Sequence, residues 1–325
     1  MKKQIVAAAV AATMSAVALA DISITGAAKV NYTNVDVAGS TPDTNKFTQE
    51  TDLKIKGKNG DTEVVINLGG NGLDNTASDS AARTAATADQ MNVEDVYVKT
   101  TISGVTIQAG TWDSGNNELR ASSRADGKFK ASTSFQNIGV SYATTSNGAS
   151  SEEYGVSTSI GGVDLAYTKK IAGETVKASG SFGGVSAKYH LEGSDTANSD
   201  RTYVELSTKV GDVSLKVGQA KADSSATIEG DTWMGDFEGA SDAYDLSGGQ
   251  DVQTIELSTS MAGNKVTFRN TQIDGVTNED TDFNKVIVTR PLASGATFEL
   301  TYTALDDYGT SNDSDTLDLE LAVSF

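Results

Sequence analysis

Opposite charges are concentrated in one short segment of the chain, residues 113–127. Three carboxylates and two guanidinium groups lie within it, carried by Asp113, Glu118, Arg120, Arg124 and Asp126. Carboxylates and guanidinium groups that face each other across a narrow aqueous passage create a transverse electric field, which favours small polar solutes over apolar ones. An ordinary surface loop with two arginines is the alternative interpretation, and the residues alone leave both open.

His190 is the only histidine of the chain, and there is no cysteine. A catalytic nucleophile generally needs a neighbouring base such as histidine. Lys188 and Glu192 occupy the alternate positions beside His190, which favours a histidine in a polar wall over a catalytic base. The glycine-rich residues 69–72 lack the Lys-Ser/Thr of a phosphate-binding loop, and no EF-hand pattern is present. We therefore expect no enzyme activity, no cofactor and no metal site.

Apolar and polar side chains alternate along most of the chain, most clearly in residues 317–325. Leu317, Leu319, Leu321, Val323 and Phe325 share one parity, and the positions between them are polar or small. Successive side chains of a strand point to opposite faces, so this segment has one apolar and one hydrophilic face. Residues 22–32 alternate in the same way, whereas a helix would scatter these side chains around its circumference.

Eight pairs of alternating segments are joined by tight turns rich in Gly, Asn and Asp, which tolerate the positive φ angles of hairpins. The turns lie at residues 59–60, 103–104, 136–137, 161–162, 183–184, 211–212, 263–264 and 294–295. Together with the first and last strands, the pairs predict eighteen strands, or sixteen if one hairpin folds outside the wall.

The connections on the other side are mostly longer, as at residues 33–46, 71–92, 113–127 and 222–251. Short turns on one side and long loops on the other are typical of a closed antiparallel transmembrane β-barrel, with periplasmic turns and extracellular loops. An open strand edge in lipid would leave backbone groups unpaired. Residues 22–32 should therefore pair with residues 317–325, which makes the chain an all-β protein with a closed wall.

If the apolar face of each strand meets lipid, the polar face lines the lumen. The parity of the residues gives this face nearly as many acidic as basic side chains, so the wall itself is almost balanced. The candidate pore-lining residues are Lys29, Glu50, Asp52, Lys54, Lys99, Lys128, Lys130, Lys188, His190, Arg201, Glu205, Arg269 and Glu299.

The first twenty residues have the three parts of a secretory signal peptide. Lys2 and Lys3 precede an apolar run, and the small residues ending at Ala20 form a cleavage site before Asp21. We expect residues 1–20 to be removed and residues 21–325 to form one barrel domain. Loss of the two lysines would take the net charge from −19 to −21, which argues against a nucleic-acid partner.

The chain resembles a general porin of the Gram-negative bacterial outer membrane. The resemblance rests on the opening residues 21–26, on the strand pair 93–99 and 104–110, and on the terminal Phe325. It implies a water-filled channel for passive diffusion, a homotrimer, and contact with outer-membrane lipid and lipopolysaccharide. It also implies that the loop after the fifth strand, here residues 113–127, folds into the lumen. The family commonly has sixteen strands, so the predicted eighteen are a departure.

Most of the remaining acidic residues fall in the long loops, with Asp231, Asp236, Glu238, Asp242 and Asp245 in segment 222–251 alone. An acidic vestibule raises the local concentration of cations, so we expect a mild preference for cations. Acids that merely keep the loops soluble are the alternative. A substrate-specific channel, or a surface barrel with an adhesive or structural role, remains possible on the sequence alone.

Overall fold

The computed structural model describes residues 21–37, 44–76, 91–113, 117–119, 124–146, 151–228, 231–236, 249–274, 281–307 and 313–325. The predicted signal peptide, residues 1–20, lies outside these ranges. None of the described segments forms a helix that is long and apolar enough to cross a membrane.

Eighteen strands form one antiparallel sheet. The wall strands are β1 Asp21–Val37, β2 Thr44–Asn59, β3 Thr62–Thr76, β4 Asn92–Ile102, β5 Val105–Asp113, β6 Arg124–Phe135, β7 Ile138–Thr144, β8 Glu153–Ile160, β9 Val163–Lys170, β10 Gly173–Phe182, β11 Val185–Ser194, β12 Arg201–Val210, β13 Val213–Ala222, β16 Asp251–Met261, β17 Asn264–Asp274, β18 Thr281–Pro291, β19 Ala296–Asp307 and β20 Ser314–Ser324. Two further strands, β14 Asp231–Thr232 and β15 Gly235–Asp236, form a separate small hairpin between β13 and β16.

The sheet closes because its first and last strands pair with each other. β1 lies beside β20 in a register that places Ala27 opposite Ser324 and Asn34 opposite Leu317. Gly26 and Phe325 complete the seam, since each backbone N–H donates to the carbonyl oxygen of the other residue, at 2.8 and 3.0 Å. Both the predicted closure and the predicted eighteen strands are confirmed. The alternative of sixteen strands is wrong, because all eight predicted hairpins lie in the wall.

Glycines at the short turns permit the backbone to reverse. At the turn between β10 and β11, Gly183 and Gly184 have φ angles of 60° and 84°, and an added Cβ would meet no atom within 4 Å. Conformation rather than space therefore selects glycine here. The turn between β6 and β7 uses Gln136 at a φ of 54° instead.

The two faces of the wall differ in exposure as the alternation predicts. On β12, Tyr203 and Glu205 are 0% and 5% exposed, whereas their neighbours Val204 and Leu206 are 42% and 48% exposed. Directly opposite residues keep the same parity from strand to strand, so one continuous face points inward and the other outward. The inner face carries most of the charged residues of the wall, and the bare outer face carries valine, leucine, isoleucine and aromatic side chains.

The segment between β5 and β6 is shorter than the sequence indicates. Asp113 lies opposite Arg124 in the β5–β6 ladder, and β6 also includes Asp126. The prediction that these three residues belong to a loop is therefore wrong. A register shift between Gly110 and Trp112 lets the two strands continue pairing beyond the point where the simple alternation ends.

Candidate functional site

Two segments fold from the loop end of the barrel onto its inner face. One contains residues 117–119, between β5 and β6. The other, the β13–β16 segment, comprises the described residues 223–228 and 231–236, and the latter form the small hairpin of β14 and β15. Both contact the same part of the wall, formed by strands β11 to β13, β16 and β17. This crowded part of the lumen is the candidate functional site.

Glu118 binds the inner wall through the only histidine of the chain. Its Oε2 lies 3.2 Å from Nδ1 of His190 on β11, a residue 72 positions away in the sequence. The hydrogen bond from His190 lowers the pKa of Glu118 to about 2, so its carboxylate is charged at neutral pH. Nε2 of His190 faces Glu192 Oε1 at 3.7 Å. His190 and Glu192 are both buried.

Leu119 is the apolar anchor of the same segment. Its side chain is fully buried in a cluster with residues of β12, β13, β16, β17 and the β13–β16 segment, which are Tyr203, Ala220, Ala222, Ala226, Ile228, Met234, Val252 and Ile273. Asn117 Oδ1 accepts a hydrogen bond from the Leu119 backbone N–H at 2.8 Å. Residues 117–119 therefore hold to the inner wall by one polar and one apolar contact.

Trp233 fixes the β14–β15 hairpin to the wall through a chain of polar groups. Its indole N–H donates to the Tyr203 hydroxyl at 2.7 Å, and that hydroxyl donates to Glu205 Oε2 at 2.6 Å. Glu205 also pairs with Lys188 at 3.4 Å. The ammonium group of Lys216 lies 4.2 Å from the centre of the Trp233 ring, a cation–π geometry.

Met234 of the hairpin packs against the wall beside Trp233. Its side chain is buried, and its backbone carbonyl accepts a hydrogen bond from the Thr271 hydroxyl at 2.7 Å. Gly218 on β13 makes room for both hairpin side chains. A Cβ at this position would lie 2.6 Å from Trp233 Cζ2 and 2.8 Å from Met234 Sδ, so only glycine admits this approach.

Cross-strand ion pairs distribute charge of both signs around the rest of the inner wall. Glu256 on β16 lies between Arg269, at 2.7 Å, and Lys216, at 3.7 Å. Farther around the wall, Lys29 pairs with Glu50 at 2.8 Å, and Lys56 pairs with Glu63 at 2.6 Å. These last pairs are partly exposed, so each contributes about 0–1 kcal/mol to stability.

A cavity of about 550 Å³ lies inside the barrel beside strands β6 to β11. Lys177, Lys188, Ser157 and Ser179 line it, and Glu118 and His190 close one end. The cavity extends to Gln136 and Asn137, at the turn end of the wall. It therefore leaves an aqueous space with basic and hydroxyl groups next to the docked segments.

The register places all the predicted pore-lining residues of the strands on the inner face. These are Lys29, Glu50, Asp52, Lys54, Lys99, Lys128, Lys130, Lys188, His190, Arg201, Glu205, Arg269 and Glu299. Arg201 donates from Nε to the Thr227 carbonyl and so connects the wall to the β13–β16 segment. Of the predicted constriction residues, Glu118 reaches the wall, and Arg120 lies outside the described residues. Asp113 belongs to the wall and not to a loop, and its backbone N–H donates to Oδ1 of Asp95 at 3.0 Å.

Sequence reasoning missed Trp233, Met234 and Gly218, and it treated segment 222–251 mainly as an acidic loop. A glycine in the middle of an otherwise regular strand is a known signal of close approach by another chain segment. Gly218 in the run Val217-Gly218-Gln219 was that signal. Its partner could not be found without the fold. Among the described residues, no group of three or more His, Asp or Glu side chains is placed to hold a metal ion.

No protein-family model matches the sequence, and no curated protein matches it either. Solved structures do match. Pseudomonas aeruginosa OccK9 (OpdG) superimposes with a TM-score of 0.67 at 13% identity, covering 94% of this chain and 98% of that one. Acinetobacter baumannii OccAB4 gives 0.65 at 9%, and P. aeruginosa OccK5 (OpdH) gives 0.64 at 10%, with the same coverage. Because these structures are less than 25% identical to this chain, the likeness establishes the fold, a closed antiparallel barrel of eighteen strands.

Proposed function

We propose that this chain is a channel of the bacterial outer membrane through which small hydrophilic solutes diffuse passively. The proposal rests on the polarity of the closed wall, which is apolar on its outer face and charged on its inner face. Its outer face is bare and apolar, with Ile24, Val156 and Leu206 among the exposed side chains, whereas the inner face bears the ion pairs. A closed barrel is also one of the two structures that satisfy every backbone group in lipid.

The two docked segments narrow this channel from one side. Residues 117–119 and the β14–β15 hairpin pack against the inner face of β11 to β13, β16 and β17, and the cavity beside β6 to β11 is an aqueous space next to them. Passage is then limited in size by the segments and in charge by the side chains around them.

A substrate-specific channel is the second candidate, and one observation favours it. The lumen is not an open cylinder, because Trp233, Met234 and Leu119 are packed against its wall. Lys177 and Lys188 face the cavity together with serine hydroxyls, which could select among polar solutes. Saturable block of ion current by a single solute would favour specific transport, whereas unsaturated flux would favour a general pore.

A mild preference for cations is part of the proposal. The inner wall carries paired charges of both signs, so its net contribution is small. The acids of segments 222–251, 275–282 and 306–316 exceed the bases there and supply the bias. Replacing Asp231, Asp236, Glu238, Asp242 and Asp245 by the matching amides should move the reversal potential in a KCl gradient toward zero. A wild-type channel that selects anions would show that the wall lysines prevail.

The biological setting follows from the proposed function. We propose that residues 1–20 are a signal peptide cleaved between Ala20 and Asp21, and that the mature barrel contacts outer-membrane lipid and lipopolysaccharide as a homotrimer. Mass spectrometry of the protein from outer membranes tests the cleavage. Cross-linking of the same sample tests the trimer.

Liposome swelling with uncharged solutes of increasing size tests the channel itself. Liposomes that contain the refolded barrel should swell quickly in small sugars and slowly in large ones. Heat-denatured protein from the same preparation is the control. Folded barrels that produce no swelling with any solute would refute passive diffusion and leave the adhesive or structural alternative.

A further inference from the structure

His190 sits between two carboxylates in the inner wall. Nδ1 lies 3.2 Å from Glu118 Oε2 of the docked segment, and Nε2 lies 3.7 Å from Glu192 Oε1 on the same strand. The residue is 2% exposed, and Nε2 has no hydrogen-bond partner among the described residues. Glu192 belongs to the barrel wall, whereas Glu118 belongs to the inward segment at residues 117–119.

The charged and titratable groups near His190 come from four elements. They are Glu118 of the docked segment, Lys177 on β10, Lys188 and Glu192 on β11, and Arg201, Tyr203 and Glu205 on β12. Lys188 pairs with Glu205, and Arg201 lies opposite Glu192 in the register. Glu118 and Glu192 are the two carboxylates that the ring nitrogens face.

A neutral imidazole has one N–H, so it cannot donate toward both carboxylates at once. If Nδ1 donates to Glu118, the lone pair of Nε2 points at the carboxylate of Glu192, which is unfavourable. Protonation of Nε2 replaces that lone pair by a donor and makes both contacts attractive. The proton therefore strengthens the hold of the wall on residues 117–119.

We infer that His190 is a proton-operated latch, which holds the inward segment at residues 117–119 against the wall when protonated and loosens it when neutral. The inference rests on the proposed channel function, since the latch would act by changing the width of the aqueous path. The moving element is the segment that carries Glu118, and β11 is the fixed one.

The direction of the response follows from the two partners. The pKa of Glu118 is held at about 2 by its hydrogen bond with His190, so Glu118 stays charged wherever a histidine normally titrates. As pH rises, the contact changes from an ion pair between imidazolium and carboxylate to a hydrogen bond from a neutral imidazole N–H to the same carboxylate, which weakens docking about tenfold. Leu119 remains buried in its apolar cluster, so the segment loosens instead of leaving the lumen.

The single histidine makes the test unusually direct. Because the sequence has one histidine, every imidazole signal of refolded wild-type barrels labelled with ¹⁵N-histidine comes from His190. Single-channel conductance across planar bilayers is then recorded from about pH 5 to about pH 8, the range in which histidine titrates. We expect conductance or its flickering to increase with pH, with the same midpoint as the imidazole signals.

Three variants separate the latch from other causes. His190→Gln should remove the pH dependence, and Glu192→Gln should move both midpoints to lower pH because Nε2 then faces no carboxylate. Glu299→Gln, on the distant strand β19, is the matched control and should leave both midpoints unchanged. Heat-modifiable migration on a gel verifies that each variant is folded.

The outcomes distinguish the latch from the channel. A wild-type barrel that conducts but shows no pH dependence over this range overturns the latch alone. A pH dependence of conductance that persists in folded His190→Gln also overturns the latch, since the titrating group is then elsewhere. If the folded wild type conducts at no pH, the proposed channel function fails, and the latch fails with it.

Discussion

Replacement of Trp233 by alanine should release the β14–β15 hairpin from the wall and widen the lumen. The substitution removes the hydrogen bond to the Tyr203 hydroxyl, the contact with the Lys216 ammonium and the packing against Gly218. Among the described contacts of the hairpin, those of Met234 remain, including the hydrogen bonds that its carbonyl accepts from Thr271 and Thr254.

The size of the effect can be built from these contacts. A hydrogen bond contributes about 1 kcal/mol, and a cation–π contact contributes about 0.5–2 kcal/mol. Truncation of a buried tryptophan costs about 3–5 kcal/mol in all, and Trp233 is partly buried, so the lower end applies. A loss of about 3 kcal/mol reduces the ratio of docked to released hairpin roughly a hundredfold.

Single-channel recording and liposome swelling measure the result. Trp233→Ala should raise the conductance and admit larger sugars than the wild type. Trp233→Phe is the matched control, because it keeps an aromatic ring and loses the indole N–H and part of the ring area, so its effect should be smaller. If folded Trp233→Ala has the wild-type conductance and the wild-type size limit, the hairpin does not constrict the path and the reasoning is wrong.

Three other substitutions or conditions test separate parts of the account. Leu206→Arg, on the outer face of β12, should destabilise the barrel in lipid by about 2–4 kcal/mol. Ser207→Arg, at the adjacent inner position, should be tolerated. Equal chemical-denaturation midpoints for the two variants would contradict the assignment of faces. Arg269→Met should cost about 1–3 kcal/mol, because it removes the two hydrogen bonds that Arg269 donates to the buried Glu256 carboxylate, and the double variant Arg269→Met/Glu256→Met should recover much of that loss. Because the pKa of Glu118 is lowered, the stabilisation that its carboxylate adds to docking is fully present above its ordinary pKa of 4.5 and is lost as pH falls toward about 2. Conductance noise should therefore increase in strong acid. It should not do so in Glu118→Gln.

The fold could be predicted from the sequence because alternation and turn chemistry are local signals. The pairs of apolar faces, the glycine-rich turns such as Gly183-Gly184 and the terminal Phe325 gave the strand number and the closure, both of which the structure confirms. Parity also places His190 and Glu205 on the inner face, as the register of β11 and β12 does.

The site could be predicted only in part, because its contacts join distant segments. Nothing local links Glu118 to His190, or Trp233 to Tyr203 and Gly218. The register shift after Gly110 also hid the true ends of β5 and β6, so Asp113, Arg124 and Asp126 were assigned to a loop. A bulge changes the parity by one residue, which alternation alone cannot detect.

The central claim is that the closed barrel conducts, and current across a planar lipid bilayer tests it most directly. Addition of refolded wild-type protein at low concentration should produce discrete upward steps of current in KCl. Each step should be carried mainly by potassium when the salt is dilute, since screening of exposed charges is then weak. Correctly folded barrels that insert into the bilayer and give no steps would contradict the account.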